Sequence, residues 1–191
     1  IDRSRGLGDV YKRQFKSFQK KFGYKPNLFM KPCEDGSSID IFKISNDEDY
    51  KKAKLNCLNL EREFIFEEEI GGREFTVTII GNQCYPVIEI KTKNDFYDYD
   101  AKYISDDTIL DQAKLSDNEL NTINDIALRA FCALKCSGWA RVDIIQDING
   151  NFNVIEINTV PGMTSHSCVP KSGSFMDLSY QDVIKEILRN V

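Results

Sequence analysis

The chain has a single histidine, His166, among 191 residues. A metal centre built from clustered imidazoles is thereby excluded, and a divalent cation would have to be held by oxygen, which favours Mg²⁺. No stretch approaches the roughly 18 consecutive apolar residues of a membrane-spanning helix, and the start of the chain lacks the apolar core of a signal peptide. Cys33, Cys57, Cys84, Cys132, Cys136 and Cys168 form no C-x-x-C pair and no zinc-like spacing. Reduced thiols in a cytoplasmic protein are therefore expected rather than a disulfide framework. Positive charge is not in excess either: a net charge of −5 speaks against a nucleic-acid surface, while leaving room for a local basic pocket that takes phosphates. Internal repeats and low-complexity segments are absent.

The first fourteen residues, IDRSRGLGDVYKRQ, carry four basic and two acidic side chains and no hydrophobic periodicity. They resemble a translated sequencing-library adapter, so residues 1–14 are set aside from fold reasoning. On that reading the natural chain is truncated on its N-terminal side.

Beyond them, strands are expected at Asn27–Lys31, around Ile39–Ile44, and from Glu74 to Ile80, Tyr85 to Lys91, Trp139 to Gln146 and Phe152 to Asn158. Asn46 reads as the N-cap of a helix over Asp47–Leu60. Ser116 and Glu119 form a capping box before a helix of about five turns. Ser179 caps a last amphipathic helix. Residues 94–107 are polar, aromatic and aperiodic, and are expected to form an ordered functional loop. The mixture is of the α+β kind.

Asn149-Gly150 between two alternating runs is a hairpin signal. A two-residue turn there sets Asp143 opposite Glu156, Arg141 opposite Asn158, Val142 opposite Ile157 and Ile144 opposite Ile155. One face is then apolar and the other gathers two carboxylates, an amide and a guanidinium. Carboxylates placed directly opposite repel unless a cation or proton lies between them. The pattern therefore reads either as a Mg²⁺ site or as a solvated charged face with Arg141 as counter-ion. Lys31 ahead of Pro32 and the turn EDGSS could hold a phosphate through backbone N–H groups and hydroxyls, although an ordinary β-turn has the same composition.

Taken together, LFMKPCEDGSSIDI, EEEIGGREFTV, FYDYDAKYISDDT, GWARVDI and IEINTVPGMTSHSCVPK resemble the C-terminal two-thirds of the D-alanine–D-alanine ligases, ATP-grasp enzymes of peptidoglycan synthesis. The likeness runs from about Lys21 to the C-terminus. It implies an ATP-grasp fold, with a partial central lobe over 15–67 and a C-terminal lobe over 68–191 that carries the metal and substrate sites. It also implies ATP as co-substrate, Mg²⁺ or Mn²⁺ as a pair of ions, D-alanine as substrate, no membrane or nucleic-acid partner, and a homodimer for the full-length enzyme.

Residue by residue, the resemblance implies ATP contacts at Lys31, Gly36, Ser37, Ser38, Glu67, Glu68, Ile70, Glu74 and Lys102. Tyr103 would close the site through Ser37. Asp143, Glu156 and Asn158 would be the metal ligands, and Arg141 with the Gly162 N–H would stabilise the tetrahedral intermediate. Ser167 and the Cys168 N–H would take the carboxylate of the second D-alanine. Asp40 departs from the family's usual glycine. The family's N-terminal domain and the start of its central lobe have no counterpart here, so strand residues Leu28–Met30 are expected to lack packing partners and the fragment to be inactive alone. The alternatives are a D-alanine–D-lactate ligase, another ATP-grasp carboxylate–amine ligase, and a non-catalytic nucleotide-binding fragment.

Overall fold

A computed structural model of the chain describes residues 2–4 (backbone only), 20, 23–33, 40–57, 63–91 and 108–191. These divide into two units, with the boundary between Glu69 and Ile70.

The first unit is an antiparallel sheet of β1 (Asp2–Ser4), β2 (Leu28–Pro32), β3 (Phe42–Ile44) and β4 (Phe64–Glu68), in the order β1-β4-β2-β3. Helix α1 (Asp47–Asn56) covers it. Alternation decides the faces: Leu28, Met30, Ile44, Phe64 and Phe66 point to one side and are buried with Tyr50, Ala53 and Cys57. Leu28 and Met30 are fully buried, so the expected lack of packing partners does not arise, because α1 and β4 supply them. The helix starts where Asn46 Oδ1 accepts the N–H groups of Glu48 and Asp49. Residues 2–4, set aside on sequence grounds, pair with Phe64–Phe66. Edge pairing uses backbone groups alone, so composition gave no sign of it.

The second unit holds β5 (Gly72–Ile80), β6 (Gln83–Cys84), β7 (Ile88–Lys91), β8 (Ile109–Gln112), β9 (Trp139–Asp147) and β10 (Phe152–Asn158). The order is β10-β9-β5-β7-β8, all antiparallel, with β6 against β5. Helix α2 (Asp117–Ala133) begins at the expected capping box. Its Ile123, Ala127 and Phe131 bury Phe75, Val77, Ile79, Ala140, Val142 and Ile144 on one face of the sheet. Helices α3 (Cys168–Ser174) and α4 (Tyr180–Asn190) cover the Ile80 end of the opposite face through Val169, Val183 and Ile187. The rest of that face gathers Glu74, Thr76, Thr78, Arg141, Asp143, Glu156 and Asn158 beside the apolar Ile88, Ile90 and Ile145.

The hairpin departs from the expected two-residue turn. Asp147 Oδ1 accepts the N–H groups of Asn149 and Asn151, and the Asp147 N–H reaches Asn151 O at 2.8 Å. The loop is therefore one residue longer, with Gly150 at φ +85° in the left-handed region that glycine adopts at no steric cost. Ile144 consequently faces Val154 rather than Ile155, and a register shift between Val154 and Glu156 then takes up the extra residue. Beyond it the pairs Asp143–Glu156, Val142–Ile157 and Arg141–Asn158 stand as expected. Two departures cancel.

Candidate functional site

Strand register builds the site on the face of the second unit's sheet that α3 and α4 partly cover. Thr76 on β5, Asp143 on β9 and Glu156 on β10 form one cross-strand row, and Thr78, Arg141 and Asn158 form the next. Glu74 shares the face, opposite Ile145 and Ile90.

The Arg141 fork grips Asp143, with Nε to Oδ1 at 2.9 Å and Nη2 to Oδ2 at 2.7 Å. Both side chains are well buried, at 13% and 8% exposure. Thr76 Oγ1 adds a 2.6 Å bond to Asp143 Oδ1. Burial disfavours the charged guanidinium, but the Asp143 charge, its hydrogen bonds, Cys168 and Glu156 together move the Arg141 pKa upward. The positive charge is therefore permanent. Part of the expected repulsion is answered by Arg141 itself, which grips Asp143 directly and acts on Glu156 only through its charge. Among the described residues Glu156 makes no hydrogen bond or ion pair.

These donors fit a hard divalent cation. Asp143 Oδ2 accepts one hydrogen bond and Asn158 Oδ1 one, from the Val160 N–H at 3.0 Å, so each keeps a lone pair, and Glu156 is open. Two carboxylates and an amide oxygen leave room for water and phosphate oxygens, the coordination habit of Mg²⁺. No cluster of three His, Cys, Asp or Glu side chains suited to a metal occurs among the described residues.

After β10 the chain folds back on itself. Ser167 Oγ accepts the Thr164 N–H at 2.9 Å and lies 2.9 Å from Thr164 Oγ1, while Ser167 N–H reaches Thr164 O. A Cβ on Gly162 would come within 3.1 Å of Ser167 Oγ. Cys168 opens α3. The first N–H groups of a helix have no partner within it.

In the first unit, Lys31 Nζ lies 2.6 Å from Glu67, and the Tyr24 hydroxyl donates to Glu68. Gly36, Ser37, Ser38, Lys102, Tyr103 and the 94–107 loop lie outside the described residues. Ile70, the first residue of the second unit, is half-buried. Sequence reasoning missed Thr76 and Thr164, although the alternation of EFTVTI already puts Thr76 on the face of Glu74.

A family model described as D-ala D-ala ligase C-terminus matches residues 8–189. The chain belongs to this family. The D-alanine–D-alanine ligase of Mannheimia succiniciproducens is 39% identical over 162 residues, 84% of this chain and 53% of that protein. The chain thus spans about half the length of the curated relatives it matches. The solved D-alanine–D-alanine ligase of Bacillus anthracis superposes with a TM-score of 0.81 at 29% identity, covering 98% of this chain and 60% of that one. The same enzyme complexed with ATP gives 0.74 at 27%, with 89% and 53% covered. The VanG D-Ala:D-Ser ligase of Enterococcus faecalis gives 0.76 at 28%, with 90% and 51% covered. The fold is that of the ATP-grasp ligases, mixed α and β as expected. Among the described residues no helix is long and apolar enough to cross a membrane.

Proposed function

We propose that this chain carries the cation-binding and acceptor-binding half of a cytoplasmic, ATP-dependent ligase. The enzyme joins two D-alanines through an acyl-phosphate, for peptidoglycan precursor synthesis. The observation that carries the reading is the pair of rows Thr76–Asp143–Glu156 and Thr78–Arg141–Asn158 in a chain of this family. The Bacillus anthracis neighbour complexed with ATP supports ATP as the co-substrate.

Asp143, Glu156 and Asn158 would hold Mg²⁺, whose charge neutralises phosphate oxygens when it is bound. Arg141, fixed by Asp143, offers a positive charge that no working pH removes. It needs no reorganisation to meet the negative charge that develops on phosphoryl oxygens and on the tetrahedral oxyanion. The Gly162 N–H is the second donor to that oxyanion. The Ser167 hydroxyl and the Cys168 N–H take the acceptor's carboxylate, and a side chain at position 162 would crowd that pocket. ATP contacts fall to Lys31, Gly36, Ser37, Ser38, Glu67, Glu68, Ile70, Glu74 and Lys102, with Tyr103 closing the site, and the full-length enzyme pairs as a homodimer.

The VanG neighbour, a D-Ala:D-Ser ligase of nearly the same fold, gives a second reading in which the acceptor is D-serine. The test joins this chain to the N-terminal half of a relative and offers ATP and D-alanine with D-alanine, D-serine or D-lactate in turn. Phosphate release with D-alanine as acceptor, abolished by Glu156→Gln, is expected. Release that survives Glu156→Gln, or depends on neither amino acid, overturns the reading.

A further inference from the structure

We infer that Thr76 is the positioning residue that presents Asp143 to the cation through Oδ2. The inference rests on the cation reading above and adds a residue that the family resemblance did not mark.

Thr76 is 1% exposed and sits directly opposite Asp143 in the β5–β9 pair. A buried hydroxyl costs free energy unless it is hydrogen-bonded, and valine would fill the same volume without that cost. The neighbouring Thr78 faces the same side, is also 1% exposed, and its hydroxyl has no partner among the described residues. Burial on this strand therefore does not by itself supply a partner; the Thr76 hydroxyl also lies 3.5 Å from Val142 O, and the much shorter 2.6 Å contact to Asp143 Oδ1 takes its single proton.

The bond breaks the symmetry of the carboxylate. Oδ1 accepts from both Thr76 and Arg141 Nε, whereas Oδ2 accepts only from Arg141 Nη2. An oxygen with two donors has no lone pair left for a metal, so Oδ2 is the available ligand. The β-branched side chain of Thr76 has little rotamer freedom, which keeps the direction of the bond fixed. Hydrogen-bonded supports of this kind orient ligating carboxylates generally.

The test measures binding of Mn²⁺ to the 191-residue chain by water-proton relaxation, with a non-hydrolysable ATP analogue present. Thr76→Val and Thr76→Ala are each expected to weaken apparent Mn²⁺ affinity about tenfold, the lower end of what loss of such a support costs. Thr76→Ser, which keeps the hydroxyl, should stay near the parent, and circular dichroism should show all three folded. Equal affinity in Thr76→Val, or a loss in Thr76→Ser as large as in Thr76→Val, overturns the inference while leaving the cation site standing. Failure of both hydroxyl-free variants to fold also overturns it, since the hydroxyl would then be structural. No Mn²⁺ binding by the unsubstituted chain removes the cation site, and this inference with it.

Discussion

Gly173 and Val183 approach so closely that a methyl group on Gly173 would lie 2.3 Å from Val183 Cγ2. Val183 is fully buried and β-branched, so it cannot rotate away. Alanine is the better helix former by about 1 kcal/mol, but overpacking costs about 1–3 kcal/mol, and in a buried contact the second effect is the larger. Gly173→Ala is expected to destabilise the second unit by about 1 kcal/mol on balance, measured by urea unfolding. Because α3 begins at Cys168, proposed above for the acceptor's carboxylate, D-alanine affinity in the completed enzyme should fall too. A raised midpoint would show that α3 can ride outward freely.

Arg141→Met should be far more damaging to stability than its size suggests. It leaves Asp143, 8% exposed, as a buried charge with only Thr76 for support, and breaking such a pair typically costs about 3–5 kcal/mol. Adding Asp143→Leu to Arg141→Met should restore most of the loss, since no charge is then stranded. If the single substitution costs less than about 1 kcal/mol, water reaches the pair and its burial has been overstated.

The start of α2 should confer an acid-sensitive component of stability. The Ser116 N–H, then its hydroxyl, then the Gln146 amide donate to Glu119 and hold its carboxyl down to about 2, from an ordinary value of 4.5. A depressed carboxylate stabilises fully above its unfolded value and loses that contribution as pH falls through the folded one. Melting temperature should therefore decline between pH 4.5 and 2 more steeply in the parent than in Glu119→Gln. Parallel curves would refute this.

Asp40 stands at φ +55°, in the left-handed region, which explains why glycine suits this place and why aspartate is among the few substitutes. Asp40→Gly should change stability little. Asp40→Val should cost about 1–2 kcal/mol. Asp40 also helps burial push the Cys57 thiol up to about 11, burial being the larger cause. Alkylation of Cys57 should therefore quicken in Asp40→Gly; an unchanged rate would assign the shift to burial alone.

Features set by local chemistry were legible in the sequence. The Ser116–Glu119 box and the Asn46 cap could be read because a cap is decided within a few residues, whereas the Asp143–Glu156 pair came out right only because the longer turn and the later register shift offset each other. Helix α3 was missed because its sequence, CVPKSGS, contains proline and glycine; the proline is tolerated in the first turn, where N–H groups need no partner, and Gly173 is there for packing. Strand β8 is four residues at a sheet edge, too short for alternation to show. Thr76 could not be tied to Asp143 because the two meet across 67 residues of chain, a register that only the folded sheet defines. The hairpin turn was misread because the Asp147 carboxylate, rather than the Asn-Gly pair alone, sets the loop length.

Among the described residues β10 is an end strand of its sheet, and the outer backbone groups of an end strand form an edge onto which another extended chain can add. A seven-residue strand with a flush two-residue turn would be a straight template for such growth. The irregularity between Val154 and Glu156 interrupts that template midway and bends the strand. The step that restores the register of Glu156 and Asn158 is thus also expected to disfavour edge-to-edge aggregation. A variant hairpin shortened to the flush form, with Ile155 removed to keep the site aligned, would keep its ligands in place and gain a tendency to form fibrils.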